Sequence, residues 1–256
     1  MKSKRNTILI MLALLICISL TGPAMADMAM GPVEPCFSAI PISDEPNGAY
    51  LERVIMNITF SGDQIGVNEN YTFRNDQEAH SIKVVLPFRE KPEALKVYCN
   101  FKEIAYQWLE LDEVADDFQS GLQADLTDFK QVLVFEIPLS KGDNNEKDRT
   151  VNVFYRRKCQ ANSFSYCIAT AKAWKHPIKE VIYSFNISRE KFTGELEFVA
   201  ENFRIQTKYG KNTLEEMNYN GQGLYHISFE DKVVRMTVSN KQVRYQNNYP
   251  VRFRWE

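Results

Sequence analysis

His80, His176 and His226 are the only histidines in this chain of 256 residues. No two of them stand at metal-ligand spacing, and none belongs to an H-E-x-x-H run. The G-x-S-x-G turn that would present a serine nucleophile is missing. Gly221-Gln222-Gly223 is too short for a phosphate loop and falls in a hairpin turn. A pair of catalytic carboxylates needs no local signature, because acids distant in sequence can meet in space. Nothing in the sequence selects such a pair. Asp112, Glu113, Asp116 and Asp117 form an acidic cluster, but the D-x-D-x-D-G calcium loop is absent. The same acids at the start of a helix would interact favourably with its dipole. Arg156-Arg157-Lys158 is the densest basic run; three residues make a weak anionic-surface patch and read more simply as a solvated bend. Trp174 and Trp255 have the rings to stack on sugars, yet in small sandwiches such rings usually anchor cores. These residues lead to the expectation of a non-catalytic protein that needs no metal or cofactor.

Other residues carry covalent chemistry. Five cysteines occur, and four lie beyond residue 26: Cys36, Cys99, Cys159 and Cys167. In an oxidising compartment an even set reads as two disulfides. Three pairings exist. The short loop favours Cys159–Cys167, which leaves Cys36–Cys99 to pin the N-terminal segment. Asn57-Ile58-Thr59, Asn70-Tyr71-Thr72 and Asn186-Ile187-Ser188 are glycosylation sequons, a motif short enough to arise by chance. Each Asn falls on the polar phase of its strand.

The first 26 residues fix the compartment. Lys2, Lys4 and Arg5 precede an apolar run from Ile8 to Ile18, and Ala24-Met25-Ala26 supplies a cleavage site. The run is shorter than the ~20 residues a bilayer span requires. Cleavage after Ala26 would start the mature chain at Asp27, outside the cytoplasm and with no later membrane span. Cys17 offers the rival of lipid attachment, though bulky Ile16 precedes it. Hydrophobic residues make up 44% and charged residues 25% of the chain, with a net charge of -2, which is the balance of a folded soluble protein and not of a nucleic-acid binder. The charge is uneven, at -12 over residues 27–140 and +7 over 141–256.

The elements that must position these groups are strands. Val54, Met56, Ile58 and Phe60 alternate with polar neighbours, and Val67, Tyr71 and Phe73 repeat the pattern, broken once by Glu69. Ile82–Leu86, Leu95–Tyr98, Leu133–Leu139 and Val151–Tyr155 follow, then Val181–Ile187 and several more. Val132 and Val134, flanking the inward phase of the 133–139 run, imply burial on both faces. One segment departs: Leu111, Val114, Phe118 and Leu122 have helical spacing. The expected fold is therefore all-β, with two antiparallel sandwich-like domains and one short helix in the first. The expected divisions are a signal peptide (1–26), an irregular segment (27–50), and domains at 51–157 and 158–256.

Two tracts carry a family likeness. Tyr71-Thr72-Phe73-Arg74-Asn75 with Leu86-Pro87-Phe88, and Tyr166, Thr170-Ala171, Trp174 and Pro177-Ile178, resemble motifs of an exported bacterial β-rich domain family of unknown function. The likeness spans residues 54–88 and 164–185. It departs at Ala171, where the family has Gly, and lacks the family's glycine-rich opening. It implies an exported β-rich protein and assigns no catalytic residue. The expected role is an interaction or structural module at the cell surface, in the periplasm or secreted, with a protein or glycan partner. The rival is an extracytoplasmic, carbohydrate-active hydrolase with carboxylates from distant strands.

Overall fold

This computed structural model describes residues 35–37, 39–42, 48–61, 63–78, 80–114, 129–140, 150–158, 163–167, 174, 176–188, 195–200, 203–208, 215–219, 223–229, 233–243 and 251–255. The fold is all-β. Strands β1 (Pro35–Phe37), β2 (Ile40–Pro41), β3 (Ala49–Ser61), β4 (Gln64–Asn75), β5 (His80–Phe88) and β6 (Ala94–Cys99) come first. They are followed by β7 (Lys102–Glu103), β8 (Tyr106–Glu110), β9 (Gln131–Leu139), β10 (Thr150–Lys158), β11 (Ser163–Cys167) and β12 (Ile178–Ser188). The last are β13 (Glu195–Ala200), β14 (Phe203–Lys208), β15 (Glu215–Tyr219), β16 (Gly223–Phe229), β17 (Val233–Val243) and β18 (Val251–Trp255).

They form three sheets. A nine-stranded sheet runs β15-β16-β17-β12-β3-β4-β10-β6-β7, a four-stranded sheet β2-β5-β9-β8, and a five-stranded sheet β1-β11-β18-β13-β14. Most neighbours are antiparallel, but β12 lies parallel to β3 and β1 parallel to β11. The β12–β3 ladder joins residues from both sides of the expected division at 157/158, so one sheet draws strands from both segments.

The main core lies between the nine-stranded and four-stranded sheets. Val54, Met56 and Ile58 of β3, Val67, Tyr71 and Phe73 of β4, and Val181, Tyr183 and Phe185 of β12 are all fully buried there. Facing them from β5 and β9 are Val84, Leu86, Leu133, Phe135 and Ile137. Alternation along each strand produces this division, since successive side chains point to opposite faces. The four-stranded sheet is buried on its second face as well. Ile40, Val85, Val114, Phe129 and Val132 cluster there with half-buried Val134, which is what the run of consecutive apolar residues in β9 implied. Of the segment expected to form a helix from Leu111 onward, the described residues hold one 3-10 turn, Leu111–Glu113, and Phe118 and Leu122 lie outside the described residues.

A β-bulge sets the phase of β3. Leu51 opposes Phe73 and Arg53 opposes Thr72, so Glu52 is the extra residue. The bulge turns its carboxylate toward Arg74 Nε and Lys179 Nζ, each at 2.6 Å. Burial alone would push the Glu52 carboxyl up; hydrogen bonds from Lys179 and Arg74, with their charges, outweigh it and hold the group below the usual range. Beside it Arg53 Nε meets Glu180 at 2.9 Å, across the parallel ladder. These pairs sit at one end of β3 and β12, where they oppose a slip of the parallel register.

Trp174 ties a distant segment to the core. It is buried against Phe73, with ring centroids 5.6 Å apart, and its indole N–H donates to the Ala39 carbonyl at 2.9 Å. The core-anchor reading of this tryptophan is therefore the one the structure bears out. Trp174→Phe keeps a six-membered aromatic ring but removes the pyrrole part of the indole, and leaves the buried Ala39 carbonyl without its donor. It is expected to lower stability by about 1–3 kcal/mol, measured as a drop in the urea midpoint at unchanged slope.

Candidate functional site

The residue that breaks the alternation of β4 is the most unusual in the core. Glu69 shares the inward phase with Val67 and Tyr71 and is 1% exposed. Shifting β4 by one residue would free the acid, but it would also expel Val67, Tyr71 and Phe73, so their burial holds it inside. Its cross-strand neighbours are apolar, Met56 on β3 and Val153 on β10. Two phenols satisfy the carboxylate. Tyr71, two residues along the strand, donates to Oε2, and Tyr155 of β10 donates to Oε1 at 3.1 Å. Tyr155 is braced edge-on by Phe88 of the facing sheet, at 5.3 Å between centroids. Desolvation pushes the Glu69 carboxyl up to about 7, against the opposing pull of the Tyr71 and Tyr155 hydrogen bonds and the Arg157 charge. Nothing in the sequence beyond a polar residue on an apolar phase signalled this cluster.

The opposite face of the same strands is polar and carries an open groove of about 430 Å³. The ladder of β3, β4 and β10 arranges its lining in rows. Gln64 opposes Ser61, Gly66 lies between Thr59 and Arg156, and Asn68 lies between Asn57 and Phe154. The Arg156 guanidinium lies over the Phe154 ring, 5.6 Å from its centroid. At the rim Glu93 accepts a hydrogen bond from the Gln64 amide at 3.3 Å. No carboxylate or imidazole lines the groove itself.

The three sequon asparagines all fall on this outer face and are half-buried. Asn57 lines the groove. Asn70 accepts a hydrogen bond from Asn152 of β10. Asn186 donates to the Ile58 carbonyl at 3.3 Å and accepts from Arg235 Nε at 2.8 Å. The basic run is not a bend: it ends β10, where alternation sends Arg156 to the outer face while Arg157 reaches the field of Glu69. His80 opens β5 and donates Nδ1–H to the Glu78 carbonyl at 2.8 Å, and exposed His176 lies against Tyr50 at 4.9 Å. His226 is on β16. Asp112 and Glu113 are exposed on the 3-10 turn, where Glu113 accepts the Glu110 N–H at 2.7 Å; Asp116 and Asp117 lie outside the described residues.

The cysteines need one correction. Cys99 is a free thiol buried in the core, so the expected Cys36–Cys99 bridge is not formed. The two belong to different sheets: Cys36 is on β1, paired with β11, and Cys99 on β6, opposite Val151. Burial pushes the Cys99 thiol up, away from the reactive thiolate. Cys167 ends β11, while Cys159, and with it the expected Cys159–Cys167 pair, lies outside the described residues, as do Cys17 and Ala26.

One surface residue is strained. Asn100 and Phe101 form the two-residue turn between β6 and β7, both in the left-handed region at φ 51° and 64°. Asn suits that conformation and a bulky ring does not. Phe101 is nevertheless 88% exposed, so it gains no packing in return.

No protein-family model matches the chain, and no match was found among curated proteins. Among solved structures, baculovirus P35 gives a TM-score of 0.38 at 8% identity, over 82% of this chain and 98% of that one. A candidate protease from Parabacteroides distasonis gives 0.37 at 9% identity, over 80% of this chain, which spans 40% of that protein. Neither likeness is close enough to carry an argument.

Two outcomes follow from the geometry. Between pH 4.5 and 7 the unfolded chain loses the Glu69 proton first, so stability falls as pH rises through that window, by about 3 kcal/mol in all. Glu69→Gln should flatten this part of the profile and be the more stable protein at pH 8, read from thermal midpoints; parallel profiles would contradict the assignment. Phe101→Gly should raise stability by about 1 kcal/mol through relief of the turn, read from the urea midpoint.

Proposed function

We propose that this is an exported, non-catalytic interaction module that contacts a protein or glycan partner outside the cytoplasm. The observation that carries the reading is where the chemistry sits. The one carboxyl strongly raised by burial, among the described residues, is sealed between two sheets by Tyr71 and Tyr155. The accessible groove offers amides, hydroxyls, a ring and a guanidinium, a set suited to recognition and poor in groups that transfer protons. The leader-like residues 1–26 and the likeness of Tyr71–Asn75, Leu86–Phe88 and the 166–178 tract to an exported family support the compartment. No helix among the described residues is long and apolar enough to cross a membrane.

Expression of the full chain with its leader in a secreting host provides the test. Mass spectrometry should find a product beginning at Asp27, and that product should leave oligosaccharides at their original length. Retention of residues 1–26, acylation at Cys17, or shortening of the sugars would contradict the proposal.

A further inference from the structure

We propose that the groove on the outer face of β3, β4 and β10 is a binding site for an acidic oligosaccharide, whose carboxylate is held by Arg156. The inference rests on the interaction-module reading and names its ligand class.

The backbone decides how a ligand can be recognised here. β3 is paired with β12 and β4, β4 with β3 and β10, and β10 with β4 and β6. Both edges of all three strands are occupied, so an extended peptide cannot add as a further strand, and recognition falls to side chains. Those side chains are Asn57, Thr59, Ser61, Gln64 and Asn68, which present paired donors and acceptors at the spacing of a β-ladder. Hydroxyl-rich rings are ligands whose own donors and acceptors match such a row of side chains. Phe154 adds the one aromatic face.

Arg156 makes the site selective. Its guanidinium lies over the Phe154 ring, 5.6 Å from the centroid, and forms no ion pair among the described residues, so its charge is available to a ligand in the groove it lines. Glu93 at the rim is engaged by Gln64 and does not enter the lining. Gly66 supplies the room. A Cβ built there meets nothing nearer than the Thr59 carbonyl oxygen at 4.0 Å, so the glycine leaves a gap in the floor between Thr59 and Arg156 that the fold does not require.

Isothermal titration with trigalacturonate and with its uncharged counterpart, trigalactose, tests the inference on protein from a host that does not N-glycosylate. The acidic trimer should bind about tenfold or more tighter than the neutral one, as a charge-assisted bidentate contact implies. Arg156→Gln should reduce its affinity to that of trigalactose. Gly66→Val fills the gap with a strand-favouring residue and should abolish binding of both sugars while leaving the thermal midpoint unchanged. Failure of both sugars to bind, equal binding of the two by the native protein, undiminished binding by a folded Gly66→Val variant, or equally tight binding of a trinucleotide would each overturn the assignment. None of these results touches the mass and turnover measurements that test the module reading; shortening of trigalacturonate would overturn that reading and leave the groove in place.

Discussion

The parallel pairing of β12 with β3 is the constraint on which the rest depends. It brings strands from distant parts of the chain into one sheet and closes the edge of β3 that β4 leaves open, while β4 and β10 are closed by β3, β10 and β6. Strands closed on both sides can present only their two faces, and period-two alternation assigns every residue to one or the other. The inward face becomes a core completed by β5 and β9. The outward face becomes a polar surface. The Glu52–Lys179 and Arg53–Glu180 pairs lie across this ladder and oppose its sliding.

The two faces of β4 show how one strand serves stability and recognition in opposite ways. Glu69 points inward, where low polarity raises the cost of its charge and two tyrosines reduce that cost. It is a structural acid that makes the fold sensitive to pH. Gly66 and Asn68 point outward, where water competes for every hydrogen bond and a missing side chain leaves space instead of a destabilising void. Arg156 and Arg157 repeat the division one strand away: consecutive cations, one over Phe154 in the groove and one in the field of the buried acid.

Much of this was legible in the sequence. The phases of Val54–Phe60, Leu133–Leu139 and Val181–Ile187 fixed which side chains reach the core, and double-sided burial of β9 could be read from Val132 and Val134. Placement of the sequon asparagines on the polar phase also followed from alternation. The parallel ladder was not legible, because pairing over more than a hundred residues leaves no local mark. The Glu52 bulge left no mark beyond the adjacent polar pair Glu52-Arg53, and Glu69 showed only as a blemish in the pattern. Phe154 and Arg156 look like an alternating pair at a strand end; only the register with Gly66 and Asn68 reveals a site. Cys36–Cys99 failed for the same reason, since an even cysteine count says nothing about which sheet each belongs to.

The most direct test is to map ligand contacts by NMR on the uniformly labelled protein. On titration with trigalacturonate, the side-chain amide signals of Asn57, Gln64 and Asn68 and the Arg156 Nε–H should shift together, while the Glu69 carboxyl carbon stays where it is. Shifts centred on Glu69, Tyr71 and Tyr155 with the outer amides unmoved would place the working surface inside the sandwich and contradict this account.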